Sequence, residues 1–479
     1  MLVPSSRPSP YHVVFVLGES LLIGVAVALA VLLRVGDPGE LFTWKYSWHR
    51  IVLVPIVLQA TFFYFDLYNF RVAKPFIWTF SRLLTAVAVG NMGLTVIYYI
   101  MPRLFLGRGV MVWSFFLVIT LVTLWRWGYG WALHQRLLST KVLLLGQGAI
   151  ADAILEELTK RTDNVHNLVC ILDAGPSQKE LATKADKNPI NLMPLWGKLL
   201  RADYHKEFED IYSLVRYYGA NLVVVAMEEK RGAMPMNDLL HCRMQGVLIK
   251  SGEDFFESIA GRILADHVTA GALIFSAQGF TTGGIRAYAK RLFDISVSSV
   301  GLLLSLPLAL ATALAIRMES KGPVLYSQER TGYQGKPFTI YKFRSMVTDA
   351  EKASGPVWAQ EEDPRITKVG RFIRKTRLDE IPQLWNVLIG TMSFVGPRPE
   401  RPHFVEELQK DLPFYAERHN VKPGITGWAQ ICYPYGSSKQ AAMEKLNYDL
   451  YYIKHFGLSM DITILFQTIK ILLFGGGGR

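Results

Sequence analysis

The sequence predicts an α/β membrane protein: a four-helix transmembrane bundle, a Rossmann-like parallel-sheet domain, and a mainly α C-terminal domain with one further, kinked membrane helix. Three observations predict it. Four apolar stretches fill residues 1–140, a strand, glycine turn and helix open 141–265, and a fifth apolar run with a proline at its middle occupies 290–317. Half of the 479 residues are hydrophobic, which suits a membrane protein with water-facing parts. The net charge of +12 fits an anionic lipid surface or a phosphorylated ligand. No zinc finger or comparable module accompanies it, so nucleic acid is not an expected partner. Cys170, Cys242 and Cys432 are too few and too scattered for a disulfide framework or a zinc cluster, and read as buried thiols in a reducing compartment.

The four stretches are 11–33, 48–65, 83–101 and 110–127, each near the roughly 20 residues a spanning helix needs. The first is too long, and its flank too weakly basic, for a cleaved signal peptide, so it is expected to remain. Arg34, Lys45 and Arg50 in the first loop balance Arg71, Lys74 and Arg82 in the second. Arg126, Arg136 and Lys141 follow the last helix, and that excess favours a cytoplasmic exit.

Lys141-Val142-Leu143-Leu144-Leu145 then reads as a strand running into Gly146-Gln147-Gly148 and a helix. A second apolar run, 168–172, ends at Asp173, where a dinucleotide fold places the acid that contacts a ribose. Further strands at 222–226 and 247–250 make a small parallel sheet over 141–265. Gly146, Gly148 and Asp173 form a candidate regulatory nucleotide site; the duller reading is a tight turn. Hydride chemistry is not expected, because the single Tyr-x-x-x-Lys, Tyr435 to Lys439, lies in a Pro/Gly/Ser loop far from this sheet.

A linker, 266–285, leads to a basic and aromatic segment (Arg286, Lys290, Arg291, Phe293, Asp294) and the apolar run to Arg317. Pro307 removes one backbone hydrogen bond and crowds the carbonyl of Leu303, so a kink is expected, with Ser305 placed to pair with a freed carbonyl. Two topologies follow. A fifth crossing would separate the α/β domain from the C-terminal domain; a re-entrant helix would keep both on one side.

In the C-terminal domain, Arg374-Lys375-Thr376-Arg377-Leu378-Asp379-Glu380-Ile381-Pro382-Gln383 sets two adjacent carboxylates between a run of cations and a proline that can open a helix. Lys368, Arg371 and Lys375 fall at i, i+3 and i+7 on one helical face, where a polyanion would meet concentrated positive charge. The same residues also suit a solvated, capped helix start. His403, His419 and His455 are isolated and not spaced as zinc ligands. Tyr448, Tyr451 and Tyr452 follow helical spacing and are expected to pack. Asp461 is placed to cap a last helix at 462–474, too short to span and suited to the interfacial plane, and the glycines at 475–478 follow it.

The surrounding wording is more specific. Ser327-Gln328-Glu329-Arg330-Thr331-Gly332, Thr339-Ile340-Tyr341-Lys342-Phe343-Arg344-Ser345-Met346, Leu384-Trp385-Asn386-Val387-Leu388, Ser393-Phe394-Val395-Gly396-Pro397-Arg398-Pro399-Glu400 and Lys422-Pro423-Gly424-Ile425-Thr426-Gly427-Trp428 frame the acid pair. Together they resemble the bacterial sugar transferases, the monotopic polyprenyl-phosphate phosphoglycosyl transferases, across 286–475. The whole layout resembles the large members that start exopolysaccharide, capsule or O-antigen units. One departure is that Ser305 and Pro307 are separated by Leu306, where the family often has Ser-Pro.

The resemblance implies that Asp379 attacks the β-phosphate of a UDP-sugar, releasing UMP and keeping a sugar phosphate for undecaprenyl phosphate, a role a carboxylate can fill because an acyl phosphate is reactive. It implies Mg²⁺ as cofactor, with Glu380 and Asp379 as candidate ligands, and donor phosphates held by Arg374, Lys342, Arg344 and Arg398. The duller alternatives are that Arg398 braces a turn and that Lys342 and Arg344 are outward strand residues. It also implies a cytoplasm-facing site at a bacterial inner membrane, lipid contacts, a candidate homodimer, and a hexose, glucose or galactose. Two other function classes are a membrane-anchored nucleotide-sugar dehydratase or epimerase, and a non-enzymatic nucleotide-sensing scaffold.

Overall fold

The computed structural model describes residues 10–36, 48–69, 75–134, 139–161, 165–172, 199–200, 210–227, 234–267, 271, 274, 279–280, 282–347, 365–433, 436 and 438–474. They fall into two compact units, 7–255 and 256–479.

The first unit begins with α1 (Pro10–Val35), α2 (Trp48–Tyr64), α3 (Phe76–Ile100) and α4 (Arg108–His134). Ile23, Val27, Leu58, Phe62, Leu83, Val87 and Val122 meet in one apolar core, while Leu17, Leu21, Met92, Val96, Phe116 and Leu124 face outward. Helices apolar on both faces are those that live in lipid. α1, α3 and α4 are long and apolar enough to cross a membrane. α2 is 17 residues with Pro55 inside it, short of the roughly 20 expected for the second crossing. Glu19, fully buried, accepts hydrogen bonds from Arg126 Nε at 2.8 Å and Tyr68 OH at 2.7 Å, and Arg126 Nη1 also donates to the Leu67 carbonyl at 2.9 Å. Such pairing offsets the cost of taking two charges out of water and joins α1 to α4.

Next come β1 (Thr140–Leu145), α5 (Ala149–Lys160), β2 (His166–Leu172), β3 (Leu199–Leu200), α6 (Ile211–Tyr218), β4 (Leu222–Val225), α7 (Met236–Met244) and β5 (Leu248–Ser251). The strands form one parallel sheet in the order β3-β2-β1-β4-β5, with Val142 opposite Leu222 and Leu144 opposite Val224. β1 and β4 are apolar runs without alternation because they are covered on both faces. This is the parallel-sheet domain read from the sequence.

α8 (Gly252–Ala260) straddles the division, and Ile263 and Ala265 pack with Trp428, Leu446, Tyr451 and Tyr452 in the second unit. The second unit continues with α9 (Ile285–Glu319), the antiparallel hairpin β6 (Leu325–Thr331) and β7 (Pro337–Phe343), α10 (Lys368–Lys375), α11 (Gln383–Ile389), β8 (Ser393–Val395), α12 (Pro402–Asp411), β9 (Gly424–Thr426), α13 (Trp428–Cys432), α14 (Lys439–Lys454) and α15 (Leu458–Phe474). Tyr448, Tyr451 and Tyr452 pack in the core, as their spacing predicts.

α9 continues through Pro307. Ser305 Oγ lies 3.4 Å from the Leu302 carbonyl, not from that of Leu303, which Pro307 leaves without its usual donor. Leu303, Leu304, Leu306, Leu310 and Leu314 are exposed in its middle, yet both its ends are tied to the same unit. At the first end, Arg291 donates to the Val387 and Leu388 carbonyls at 2.7 Å each, closing the last turn of α11. At the second, the Glu319 carboxylate accepts from the amides of Lys368 at 2.7 Å and Val369 at 3.1 Å, opening the first turn of α10.

α15 starts earlier than expected, so Asp461 is inside its first turn and does not cap it. The carboxylate is fully buried, 2.6 Å from Lys290 Nζ and 2.8 Å from Tyr452 OH, which joins α9, α14 and α15. Ile462, Phe466, Ile469, Leu472 and Leu473 form an exposed apolar face on this helix.

Candidate active site

Two short helices deliver the acid pair. Thr367 accepts from the Gly370 amide at 2.9 Å and, with Glu319, starts α10. A side chain at Gly370 would run into the Ser345 carbonyl, so glycine is what lets α10 lie against the chain leaving β7. α10 ends at Lys375, and Arg377 takes a left-handed conformation, φ 59°, that turns the chain into a short 3₁₀ segment, Leu378–Glu380. Pro382 stands immediately before α11. On that helix Asn386, wholly buried, donates to the Thr339 carbonyl at 2.7 Å and accepts from the Tyr341 amide at 3.1 Å. These bonds fix α11 to β7, so that Lys342 on the strand meets Glu380 beside the helix.

Glu380 Oε1 lies 3.1 Å from Lys342 Nζ and 3.8 Å from a nitrogen of each of Arg377 and Arg398. Burial alone would raise its pKa, but Lys342, Arg398 and Arg377 outweigh that and hold it at about 2. Asp379 goes the other way. Burial and then the charge of Glu380 push its pKa above the usual value, against the pull of Lys342, Arg374 and Arg377. Its Oδ1 is buried with no hydrogen-bond partner among the described residues. Lys342 is lowered by its burial first and then by Arg398, with Glu380 opposing. The result is a buried, unpartnered carboxylate oxygen beside one that its neighbouring cations hold ionised.

Lys342, Arg374, Asp379, Glu380 and Arg398 are thus brought together. Arg344 is not. Its guanidinium donates to the Ser320 carbonyl at 2.9 Å and the Lys321 carbonyl at 3.1 Å, closing the chain that leaves α9. Those bonds leave the group buried and facing carbonyls, outside the cluster around the acid pair. Arg377, in the sequence one of a run of cations, belongs in the cluster. Arg330 braces the turn that carries Arg398, donating to the Pro399 carbonyl at 3.4 Å and facing Glu400 at 4.0 Å. His403 is exposed and His419 buried, its pKa lowered to about 4 by burial and then by Arg418; neither touches the acid pair.

The described residues hold no group of three or more metal-ligating side chains. Two adjacent carboxylates, one with an orphaned oxygen, still fit Mg²⁺, which takes one or two carboxylates and completes its shell with water and substrate phosphate.

At the other candidate site, Gly146 and Gly148 have φ of 111° and 121° in the turn between β1 and α5. A side chain on Gly146 would strike Met227 and the Ala226 backbone, so close packing accounts for this glycine. Asp173 and Tyr435 lie outside the described residues. Lys439 opens α14 and pairs with Asp411.

Residues 285–475 match the bacterial sugar transferase family profile, and residues 64–240 match the profile of a CoA-binding domain. An Aeromonas hydrophila UDP-N-acetylgalactosamine-undecaprenyl-phosphate N-acetylgalactosaminephosphotransferase is 41% identical over 241 residues, half of this chain and 56% of that protein, so the chain spans about half the length of that relative. The exopolysaccharide production protein PSS of Rhizobium leguminosarum bv. phaseoli is 42% identical over 197 residues, 40% of this chain and 97% of the relative. An Erwinia amylovora UDP-galactose-lipid carrier transferase is 27% identical over 489 residues, 95% of both chains.

Proposed function

The chain belongs to the bacterial sugar transferase family, and on that premise we propose that it moves a hexose 1-phosphate from a UDP-sugar to undecaprenyl phosphate through a covalent intermediate on Asp379. The observation that carries the reading is the buried, unpartnered Asp379 Oδ1 beside an acid neutralised by Lys342, Arg377 and Arg398. Asp379 Oδ1 forms a bond to the β-phosphorus of the donor as the bond from that phosphorus to the bridging oxygen breaks, and UMP departs with the electron pair. An oxygen of the lipid phosphate then attacks the same phosphorus, the acyl-phosphate bond breaks, and Asp379 regains its free carboxylate. Arg398, Arg377 and Arg374 hold phosphate oxygens through both steps, while Lys342 keeps Glu380 in place. Asp379 and Glu380 would hold Mg²⁺, which would supply charge neutralisation of the pyrophosphate.

The arrangement of α9 supports a re-entrant helix. Its two ends cap α11 and α10 of one folded unit, and its apolar middle is exposed between them. With the apolar face of α15 it would hold the acid pair at headgroup level, where a lipid phosphate is reached without leaving the bilayer. The reading places the site on the cytoplasmic side of a bacterial inner membrane, where UDP-sugars are made, at the first step of exopolysaccharide, capsule or O-antigen assembly. Glucose and galactose are the expected sugars, and the Aeromonas relative's name adds N-acetylgalactosamine to the panel.

The test is radiolabelled UDP-hexose with the purified full chain and Mg²⁺, first without and then with undecaprenyl phosphate. The protein is expected to retain one labelled sugar phosphate and release UMP, and then pass the label to lipid. Asp379→Asn is expected to abolish both, and UMP release by that variant at the parent rate would sink the covalent route.

A further inference from the structure

A hollow lies across the Arg398 turn from the acid pair, and the phosphate chemistry leaves it unused. The Pro397-Arg398-Pro399-Glu400 turn stands between the two. Arg398 reaches Glu380 at 3.8 Å, while Glu400, two residues on and so within about 7 Å of it along the backbone, forms part of the wall of a cavity of about 160 Å³. Glu407 and Asp411 from α12, Tyr415 and Arg418 from the next turn, Ser438 before α14, and Lys439 and Lys445 from that helix complete its polar lining. Arg418 is 6% exposed, and its terminal nitrogens are committed to Tyr415 OH at 2.8 Å, the Arg398 carbonyl at 3.0 Å and Asp449 at 2.8 Å. Its Nε is buried without a partner among the described residues, and a buried donor of that kind ordinarily has an acceptor. One side chain therefore grips the backbone of the phosphate-facing turn and lines the hollow.

The chemistry of the walls selects a ligand class. Three carboxylates, balanced by Arg418, Lys439 and Lys445, accept hydrogen bonds from hydroxyl groups, and the two lysines can donate to a ring or hydroxyl oxygen. Phe404 and Leu408 add an apolar strip of the kind that packs on the C-H face of a sugar. A donor whose pyrophosphate lies on Arg398 carries such a hydroxylated ring on each phosphate, the hexose on one and the ribose on the other. We propose that this cavity takes a hydroxylated ring of the nucleotide-sugar, the hexose as first choice, with Glu400 and Glu407 reading its hydroxyls. The inference rests on the transferase reading and adds to it the place where the sugar is distinguished.

The experiment uses the full chain with UDP-glucose, UDP-galactose and UDP-N-acetylgalactosamine, comparing the parent with Glu400→Gln and Glu407→Gln. Glu407 lies exposed on α12, so its isosteric amide leaves folding intact, and melting temperature checks both variants. Losing a polar partner to the sugar is expected to raise the donor KM about tenfold and shift the preference between epimers, with kcat and inhibition by UMP unchanged. Equal weakening of donor binding and UMP inhibition, with epimer preference unchanged, assigns the cavity to the ribose. Unchanged KM and UMP inhibition in both variants, alongside normal parent turnover, overturns the cavity inference and leaves the transferase reading standing. A parent protein that releases no UMP from any donor overturns both.

Discussion

Asp379 and Glu380 are adjacent, yet their environments drive their proton affinities apart, which is how neighbouring carboxylates come to hold different roles. In the proposed mechanism only ionised Asp379 attacks. Because its pKa is raised, kcat/KM is expected to rise with pH through a limb centred above the ordinary aspartate value. The shift has signed causes. Glu380→Gln removes a repelling charge and should move the limb down, whereas Lys342→Met removes an attracting one and should move it up. Residual UMP release measured across pH reads both, and a limb that moves with neither belongs to another group. Glu380 also links stability to acid. With its folded pKa at about 2 against an ordinary 4.5, its contribution is complete above 4.5 and is lost as pH falls toward 2, so Glu380→Gln should melt with a shallower acid dependence in that window. Much of this cluster was legible, because Lys342, Arg374, Asp379, Glu380 and Arg398 stand in distinctive wording. Arg344 was not, since it sits two residues from Lys342, and only the fold shows that the carbonyls of Ser320 and Lys321 claim it.

At the scale of elements, the helices and strands followed from apolar runs and glycine turns, while the contacts that orient them did not. Asp461 reads as a cap from its position before an apolar run. In the structure it is instead the shared partner of Lys290 and Tyr452, which no local pattern could connect across such a separation in sequence. Both charges are almost fully buried, so removing one leaves the other without compensation. Lys290→Met is expected to cost about 3–5 kcal/mol, read as denaturant unfolding of detergent-purified protein. Lys290→Met with Asp461→Leu should recover most of that loss, because two apolar groups need no partner there. If the double variant is as unstable as the single, the pair is not what holds α9 to α15. Asn386 marks the same limit. Its side chain fixes α11 on β7, and within the sequence it is one polar residue in an apolar stretch.

At the scale of the molecule, the sequence left two topologies for the apolar run around Pro307, because length and hydropathy are the same for a helix that crosses and one that turns back. Packing favours the helix that turns back. A helix whose first end closes α11 and whose last residue opens α10 cannot place those ends on opposite sides of a bilayer unless the compact unit between them is divided as well. That unit has a buried core and water-facing charges on α10, which a hydrocarbon layer roughly 30 Å thick would not admit. Cysteines introduced at the exposed positions Arg286 and Lys321 report the outcome, since Cys170, Cys242 and Cys432 are buried. In sealed vesicles of one orientation, a membrane-impermeant thiol reagent is expected to label both positions from the same face, and neither from the other. Labelling from opposite faces would mean that α9 crosses, and the acid pair would then have to meet its lipid phosphate without a membrane helix that returns to the same surface. Pro307→Ala adds a second reading of the same question. Replacing the proline restores the missing hydrogen bond, and because both ends of α9 are bound to one unit, Arg286 and Lys321 cysteines are expected to keep labelling from the same face.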